Sequence, residues 1–163
     1  FGTAIHELFE KVSWIGEVDV ETLIWEWQKA ASFTEGVKRK VIEQIRQALT
    51  SVEVQKALSR PEGNADLWRE KHFEIVLGDE WVTGVFDRVT IMRDSESRPQ
   101  KATVLDFKSN EIADDADLAD IVERYRSQLS LYGRALSRML QLNPSEITLQ
   151  LLFTHVGKVC DLK

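Results

Sequence analysis

Cysteine and long apolar runs are both scarce in this sequence. Cys160 is the only cysteine among 163 residues, so no disulfide can form within the chain and no cysteine-based zinc or iron–sulfur site is possible. A lone cysteine is typical of a reducing, intracellular setting. The apolar runs are too short to span a bilayer, and no secretory signal is visible. We therefore expect no membrane partner.

Positive charge is also in short supply. The chain has 21 basic and 27 acidic residues, which gives a net charge of −6. Most nucleic-acid-binding domains are basic. A nucleic-acid function therefore requires either that the acids gather around a cation or that another part of a larger protein holds the nucleic acid. Because the first residue is Phe1 and not methionine, we expect a fragment of a longer polypeptide.

The periodicity of the apolar residues predicts helices first and strands later. Helical spacing predicts helices at about 1–14, 19–32, 34–49, 52–59 and, much longer, 118–142. Thr3 is a candidate cap for the first helix and Asp19 for the second. Alternating or continuous apolar residues predict strands at 70–77, 81–92, 102–108 and 149–153. The length and element order favour one α/β (α+β) domain over residues 1–163.

Two acidic residues and a lysine stand out because they lie in strands that look buried. Asp87 follows Val85-Phe86, and Asp106 follows Val104-Leu105. A buried carboxylate without a counter-charge is very costly, and two of them near a lysine are best explained by a bound divalent cation. Asp106 and Lys108 are two residues apart, so both side chains lie on one face of their strand. This arrangement suits metal-assisted hydrolysis of a phosphodiester.

Several short motifs then occur in one order along almost the whole chain. They are Gly2-x-x-x-His6, Gly84-x-x-Asp87-Arg88, Asp106-Phe107-Lys108-Ser109, Gln128-x-x-x-Tyr132 and a closing Leu152-Phe153-Thr154 followed by a turn. Together they resemble the PD-(D/E)XK nuclease superfamily, and within it the RecB-like branch at the C-terminal end of bacterial helicase–nucleases such as RecB and AddA. The resemblance implies a restriction-endonuclease-like core, in which helices flank a central mixed sheet.

The resemblance also implies roles for individual residues. His6, Asp87, Asp106 and the main-chain carbonyl of Phe107 would bind the metal, which would be Mg²⁺ or Mn²⁺. Lys108 would be the catalytic lysine. Gln128 and Tyr132 would position that lysine or the DNA backbone. Relatives that carry an iron–sulfur cluster use four cysteines, so a chain with one is similar to the cluster-free type.

At the level of the cell, the resemblance implies an exonuclease module for double-strand break repair and recombination. Its partners would be DNA, helicase domains of the same polypeptide and a second helicase–nuclease subunit, in the bacterial cytoplasm and at the nucleoid when acting. Two other functions stay open: a catalytically silent nuclease fold that serves as an interaction or structural module, and a metal enzyme that acts on RNA or another phosphoester.

For some residues a structural interpretation competes with the functional one. Glu70 precedes the first predicted strand and is either an additional or outer metal ligand or an exposed glutamate. The alternative for Asp87 is an ion pair with Arg88 or the capping of a turn, and Tyr132 falls on a core stripe of the long helix. Of the other two histidines, we expect His72 to face solvent, and His155 has no evident partner.

Overall fold

The computed structural model describes residues 1–162. In these residues a five-stranded mixed sheet is combined with five α-helices. The elements in chain order are α1 (Gly2–Phe9), α2 (Val20–Ala30), α3 (Glu35–Leu49), α4 (Val52–Leu58), β1 (Asn64–Leu77), β2 (Glu80–Arg93), β3 (Pro99–Lys108), α5 (Asp115–Leu140), a short 3₁₀ turn (Pro144–Glu146), β4 (Ile147–Phe153) and β5 (Lys158–Leu162). The predicted α/β class and the central sheet are confirmed.

The helices begin where side chains satisfy their first backbone N–H groups. Asp19 accepts from the backbone of Glu21 at 3.1 Å, and Thr34 and Ser51 act in the same way at α3 and α4. The predicted cap at Thr3 is wrong, because α1 already begins at Gly2 and Phe1 occupies the cap position without a side-chain bond. That helix also ends at Phe9 and is shorter than predicted.

The strand order in the sheet is β1-β2-β3-β4-β5, with β1–β2 and β2–β3 antiparallel. Strand β1 starts at Asn64, six residues before the predicted start at Glu70. Strand β5 is absent from the prediction, which placed only a turn after Leu152-Phe153-Thr154. The core strands otherwise lie where alternation predicts them.

The chain forms two compact units that interleave along the sequence. The first comprises Phe1–Arg60, Phe107–Ile112 and Leu152–Val159, and the second comprises Pro61–Asp106, Ala113–Leu151 and the residues from Cys160 on. In the first unit α1 packs against α2 and α3. In the second unit the 26-residue helix α5 packs against β1 and β2. No helix in residues 1–162 is both long and apolar enough to cross a membrane.

Aromatic packing fixes α5 on the β1–β2 hairpin. The Phe73 and Phe86 rings stack with centroids 4.4 Å apart, and the Tyr132 ring meets Phe73 edge-on at 5.3 Å. Gly84 leaves room for this cluster, since a Cβ added there would lie 2.7 Å from the Phe73 ring. The glycine is therefore required by close approach, which explains a break in an otherwise apolar strand.

Candidate active site

The register of the β1–β2 hairpin brings two acidic residues face to face. Arg69 pairs with Arg88 and Lys71 pairs with Phe86. Glu70 and Asp87 are the residues between these two pairs on their strands. Opposite residues of an antiparallel pair project their side chains to the same face of the sheet.

The two carboxylates are close enough to share a cation. A carboxylate oxygen of Glu70 and one of Asp87 lie within 4.8 Å of each other, and Asp87 is buried while Glu70 is half-buried. Glu70 also adopts a left-handed backbone conformation with φ of 45°, which is rare for a non-glycine residue and is concentrated at functional sites. Like charges placed opposite each other destabilise a sheet, so a bound cation would offset a real repulsion.

A third buried carboxylate lies in the neighbouring strand. Arg88 pairs with Leu105 at the end of the β2–β3 ladder, and Asp87 and Asp106 are the next residues beyond this pair on their two strands. Asp106 is only 5% exposed. Glu70 and Asp87 lie within 4.8 Å of each other, and the buried Asp106 lies on the strand next to Asp87.

His6 occupies the middle of α1 in the first unit. Its ring meets the Phe107 ring edge-on, with centroids 6.1 Å apart, and Phe9 packs on the same ring at 5.1 Å. Phe107 is the residue that follows Asp106 in β3. Within the second unit, Glu70 and Asp87 belong to a group of candidate metal ligands among the described residues, and Asp106 is not a member of that group.

Lys108 is the last residue of β3 and is half-buried. Its side chain shares a strand face with Asp106, two residues earlier. Its main-chain carbonyl accepts hydrogen bonds from the backbone N–H of Thr154 at 2.9 Å and from the Thr154 hydroxyl at 3.2 Å. Two hydrogen bonds to the Lys108 carbonyl therefore hold the backbone at the end of β3 in place.

Gln128 and Tyr132 lie one turn apart on α5 and contact each other. Gln128 is exposed, and its side-chain amide donates to the Tyr132 hydroxyl at 3.4 Å. The Tyr132 ring belongs to the core cluster with Phe73 and Phe86. Because Phe86 and Asp87 are neighbours in β2, they project to opposite faces of a regular strand, so the packing of Tyr132 is mainly structural.

Arg88 is buried beside the acidic pair, but on the other face of its strand. It is 1% exposed, and burial, together with the charge of Arg69 opposite, lowers the pKa of its guanidinium to about 10. Strand alternation separates the Arg88 side chain from that of Asp87. It therefore disfavours the simple Asp87–Arg88 pair, and the central place of Asp87 in β2 disfavours a turn cap.

The other histidines lie in different settings. His72 is exposed, as predicted. The expectation that His155 has no partner is wrong, because its Nδ1 accepts a hydrogen bond from the backbone N–H of Ile112 at 3.2 Å. Through this bond His155 stabilises the loop after β3.

The donor set fits a hard divalent cation. Carboxylate oxygens are the preferred ligands of such ions, and an imidazole nitrogen is accepted by several of them. Glu70 and Asp87 supply carboxylates at a spacing that one ion can bridge. Sequence reasoning named Glu70 only as an outer or extra candidate, because the hairpin register that sets it opposite Asp87 cannot be read from β1 alone.

Comparison with known proteins agrees with this geometry. The family model of the PD-(D/E)XK nuclease superfamily matches residues 1–161. No curated protein matches the chain at a significant level. Nucleases of this superfamily use divalent metals, and DNA is the substrate that the family implies. With the match covering nearly the whole sequence, the chain belongs to the PD-(D/E)XK nuclease superfamily.

Proposed function

We propose that this chain is a divalent-metal-dependent deoxyribonuclease whose chemistry centres on Asp87, Asp106 and Lys108. The observation that carries the proposal is the carboxylate pair of Glu70 and Asp87, whose oxygens lie within 4.8 Å of each other, with the buried Asp106 on the strand next to Asp87. Carboxylate oxygens at this spacing are suited to binding a divalent cation. The family match over residues 1–161 supplies the reaction class.

The metal would be held by one group near the start of the sequence and by several from its middle. Asp87, Asp106, Glu70 and His6 offer side-chain ligands, and Phe107 offers its main-chain carbonyl. A bound divalent cation lowers the pKa of the attacking water and stabilises the charge that builds on the phosphate. Mg²⁺ or Mn²⁺ suits these mainly oxygen ligands.

Lys108 supplies the positive charge that the carboxylates cannot. Its ammonium group donates hydrogen bonds to the attacking water or to a phosphate oxygen, which orients the one and offsets the charge on the other. The exposed side chain of Gln128 would position Lys108 or contact the DNA backbone. Tyr132 holds Gln128 in place through its hydroxyl.

The cellular role follows from the RecB-like motifs and from the charge. We propose one nuclease domain over residues 1–163, acting as the exonuclease module of a bacterial helicase–nuclease in double-strand break repair. A net charge of −6 weakens capture of DNA by the chain itself. Helicase domains of the same polypeptide, with a second subunit, would deliver the strand in the cytoplasm at the nucleoid.

The decisive test is cleavage of single- and double-stranded DNA oligonucleotides in Mn²⁺ and in Mg²⁺. Asp106→Ala and Lys108→Ala should each lower kcat by about 100-fold or more, the size expected for groups that act on charge or protons in the transition state. Lys101→Ala is the matched control, because Lys101 is an exposed lysine of the same strand. It should cleave like the wild type.

The same assay separates the alternatives. A wild type that does not cleave DNA, also when assayed within a longer polypeptide, would favour the silent interaction module. Cleavage of RNA oligonucleotides in preference to DNA would redirect the proposal to a ribonuclease. Equal activity in the wild type, Asp106→Ala and Lys108→Ala would remove the assigned site.

A further inference from the structure

Thr154 is a buried polar residue that has no role in the reaction proposed above. It follows β4 directly, within the closing Leu152-Phe153-Thr154 motif, and it is 0% exposed. A fully buried hydroxyl must form hydrogen bonds to be tolerated. Its partners therefore indicate what the residue does.

Those partners are the carbonyl of Lys108 and the side chain of Gln44. The Thr154 hydroxyl lies 3.2 Å from the Lys108 carbonyl oxygen, and the Gln44 amide lies 2.7 Å from the hydroxyl oxygen. A carbonyl oxygen can only accept a hydrogen bond, so the hydroxyl donates its one hydrogen to the Lys108 carbonyl. Its remaining lone pairs need a donor, and the Gln44 amide in α3 is that donor.

The three groups form a series of hydrogen bonds in which each donor orients the next group. Gln44 donates to Thr154, which fixes the hydroxyl rotor, and Thr154 then donates to Lys108. The backbone N–H of Thr154 adds a second bond to the same carbonyl at 2.9 Å. Lys108 is the last residue of β3, where a strand would otherwise fray.

We propose that Thr154, oriented by Gln44, is a positioning residue for the catalytic lysine. It acts through the Lys108 peptide group and holds the strand end so that the ammonium group reaches the reacting phosphate. This inference rests on the proposed nuclease function. A misplacement of about 1 Å at a catalytic group can cost on the order of 100-fold in rate, so a tie at this peptide has kinetic consequences.

The test removes the Thr154 hydroxyl and keeps the shape of the side chain. Thr154→Val keeps the volume and removes the side-chain bond, and it should lower kcat by about 10- to 100-fold with KM for an oligonucleotide unchanged. Thr154→Ser restores the hydroxyl and should recover most of the wild-type kcat. Gln44→Leu removes the donor to the hydroxyl and should give a smaller loss of kcat in the same direction.

A stability control separates positioning from simple loss of folding. Ile45→Val removes one buried methyl group next to Gln44 on α3, where Ile45 is 0% exposed. It should lower the melting temperature and leave kcat as in the wild type. If Thr154→Val is too unstable to purify, Gln44→Leu decides the question by the same comparison.

The outcomes are distinct from failure of the nuclease assignment. Wild-type kcat in a folded Thr154→Val or Gln44→Leu variant overturns the inference while cleavage by the wild type stands. A rise in KM without loss of kcat, or a serine variant as slow as the valine variant, also overturns it. If the wild type itself does not cleave, the nuclease function falls, and this inference falls with it.

Discussion

At Glu70 the chain tolerates two unfavourable features together. The backbone is left-handed, with φ of 45°, and the carboxylate faces that of Asp87 within 4.8 Å. Left-handed backbone in a non-glycine residue costs about 1–2 kcal/mol. Two carboxylates at this spacing can bind a divalent cation together, and such a cation would offset the repulsion between them.

If Glu70 binds a metal ion, Glu70→Gln should stabilise the protein when metal is absent and weaken its stabilisation by metal when metal is present. Without metal the variant should unfold at a higher temperature than the wild type, because about 0.2–1 kcal/mol of cross-strand repulsion is removed. With Mn²⁺ the wild type should gain more stability than the variant, since a ligand that binds only the folded state stabilises it in proportion to its affinity. Thermal unfolding with and without Mn²⁺ measures both differences.

Glu74→Gln is the matched control for that experiment. Glu74 is an exposed glutamate of the same strand, and it faces Thr83 and not an acid. Its variant should respond to Mn²⁺ as the wild type does. Identical metal responses in Glu70→Gln and Glu74→Gln would exclude Glu70 as a ligand.

A site residue can be identified from the sequence when its charge differs from the apolar character of its neighbours. Asp87 and Asp106 could be identified because each is charged within an apolar strand. Glu70 could not, since it stands between the charged residues Arg69 and Lys71 and looks like part of a solvated segment. Its closeness to Asp87 shows only in the structure.

Among the elements, the β1–β2 hairpin and α5 meet at Gly84. We expect Gly84→Ala to destabilise the protein by about 1–3 kcal/mol, as overpacking of a filled core does, because the new methyl group would lie 2.7 Å from the Phe73 ring. Urea unfolding measures the loss. Since Phe73 also contacts Tyr132, the seating of α5 on the hairpin should loosen as well.

Gly36→Ala is the control for this glycine. Gly36 is exposed in α3, and a Cβ there would meet nothing within 4 Å. Alanine is the better helix former by roughly 1 kcal/mol, so this variant should be more stable than the wild type. Equal stabilities for the two variants would mean that close packing at Gly84 does not matter.

Prediction of the elements succeeded where burial alternates and failed where it does not. The helices and the three central strands have a clear buried face, and their periodicity was readable. In the first part of β1, residues 65–68 are all half-buried, so no alternation marks the strand. Strand β5 has five residues and no fully buried one, which leaves it without a sequence signal.

On the scale of the whole molecule, charge limits what the chain can do by itself. A net charge of −6 opposes the approach of a polyanion, and non-specific DNA binding usually depends on basic residues and low salt. We predict that Lys108→Ala, used to prevent cleavage, binds a single-stranded oligonucleotide with Kd weaker than about 1 µM at roughly physiological salt. Fluorescence anisotropy measures this affinity.

Metal should change that affinity more than it would in a basic protein. Adding Mn²⁺ to the same variant neutralises carboxylates that would otherwise repel phosphate, so binding should tighten by about tenfold or more. Asp106→Ala in the Lys108→Ala background should show less of this effect. Tight binding in EDTA at physiological salt would contradict the prediction and would mean that the chain has a DNA surface independent of the metal.

The interleaved composition of the first compact unit has a consequence for synthesis. Its residues 1–60 emerge from the ribosome well before Leu152–Val159. Domains form during translation as their segments become available. A nascent or prematurely terminated chain that stops before Thr154 lacks both donors to the Lys108 carbonyl. The order of translation therefore delays completion of this unit, and with it the proposed cleavage activity, until Thr154 has been made.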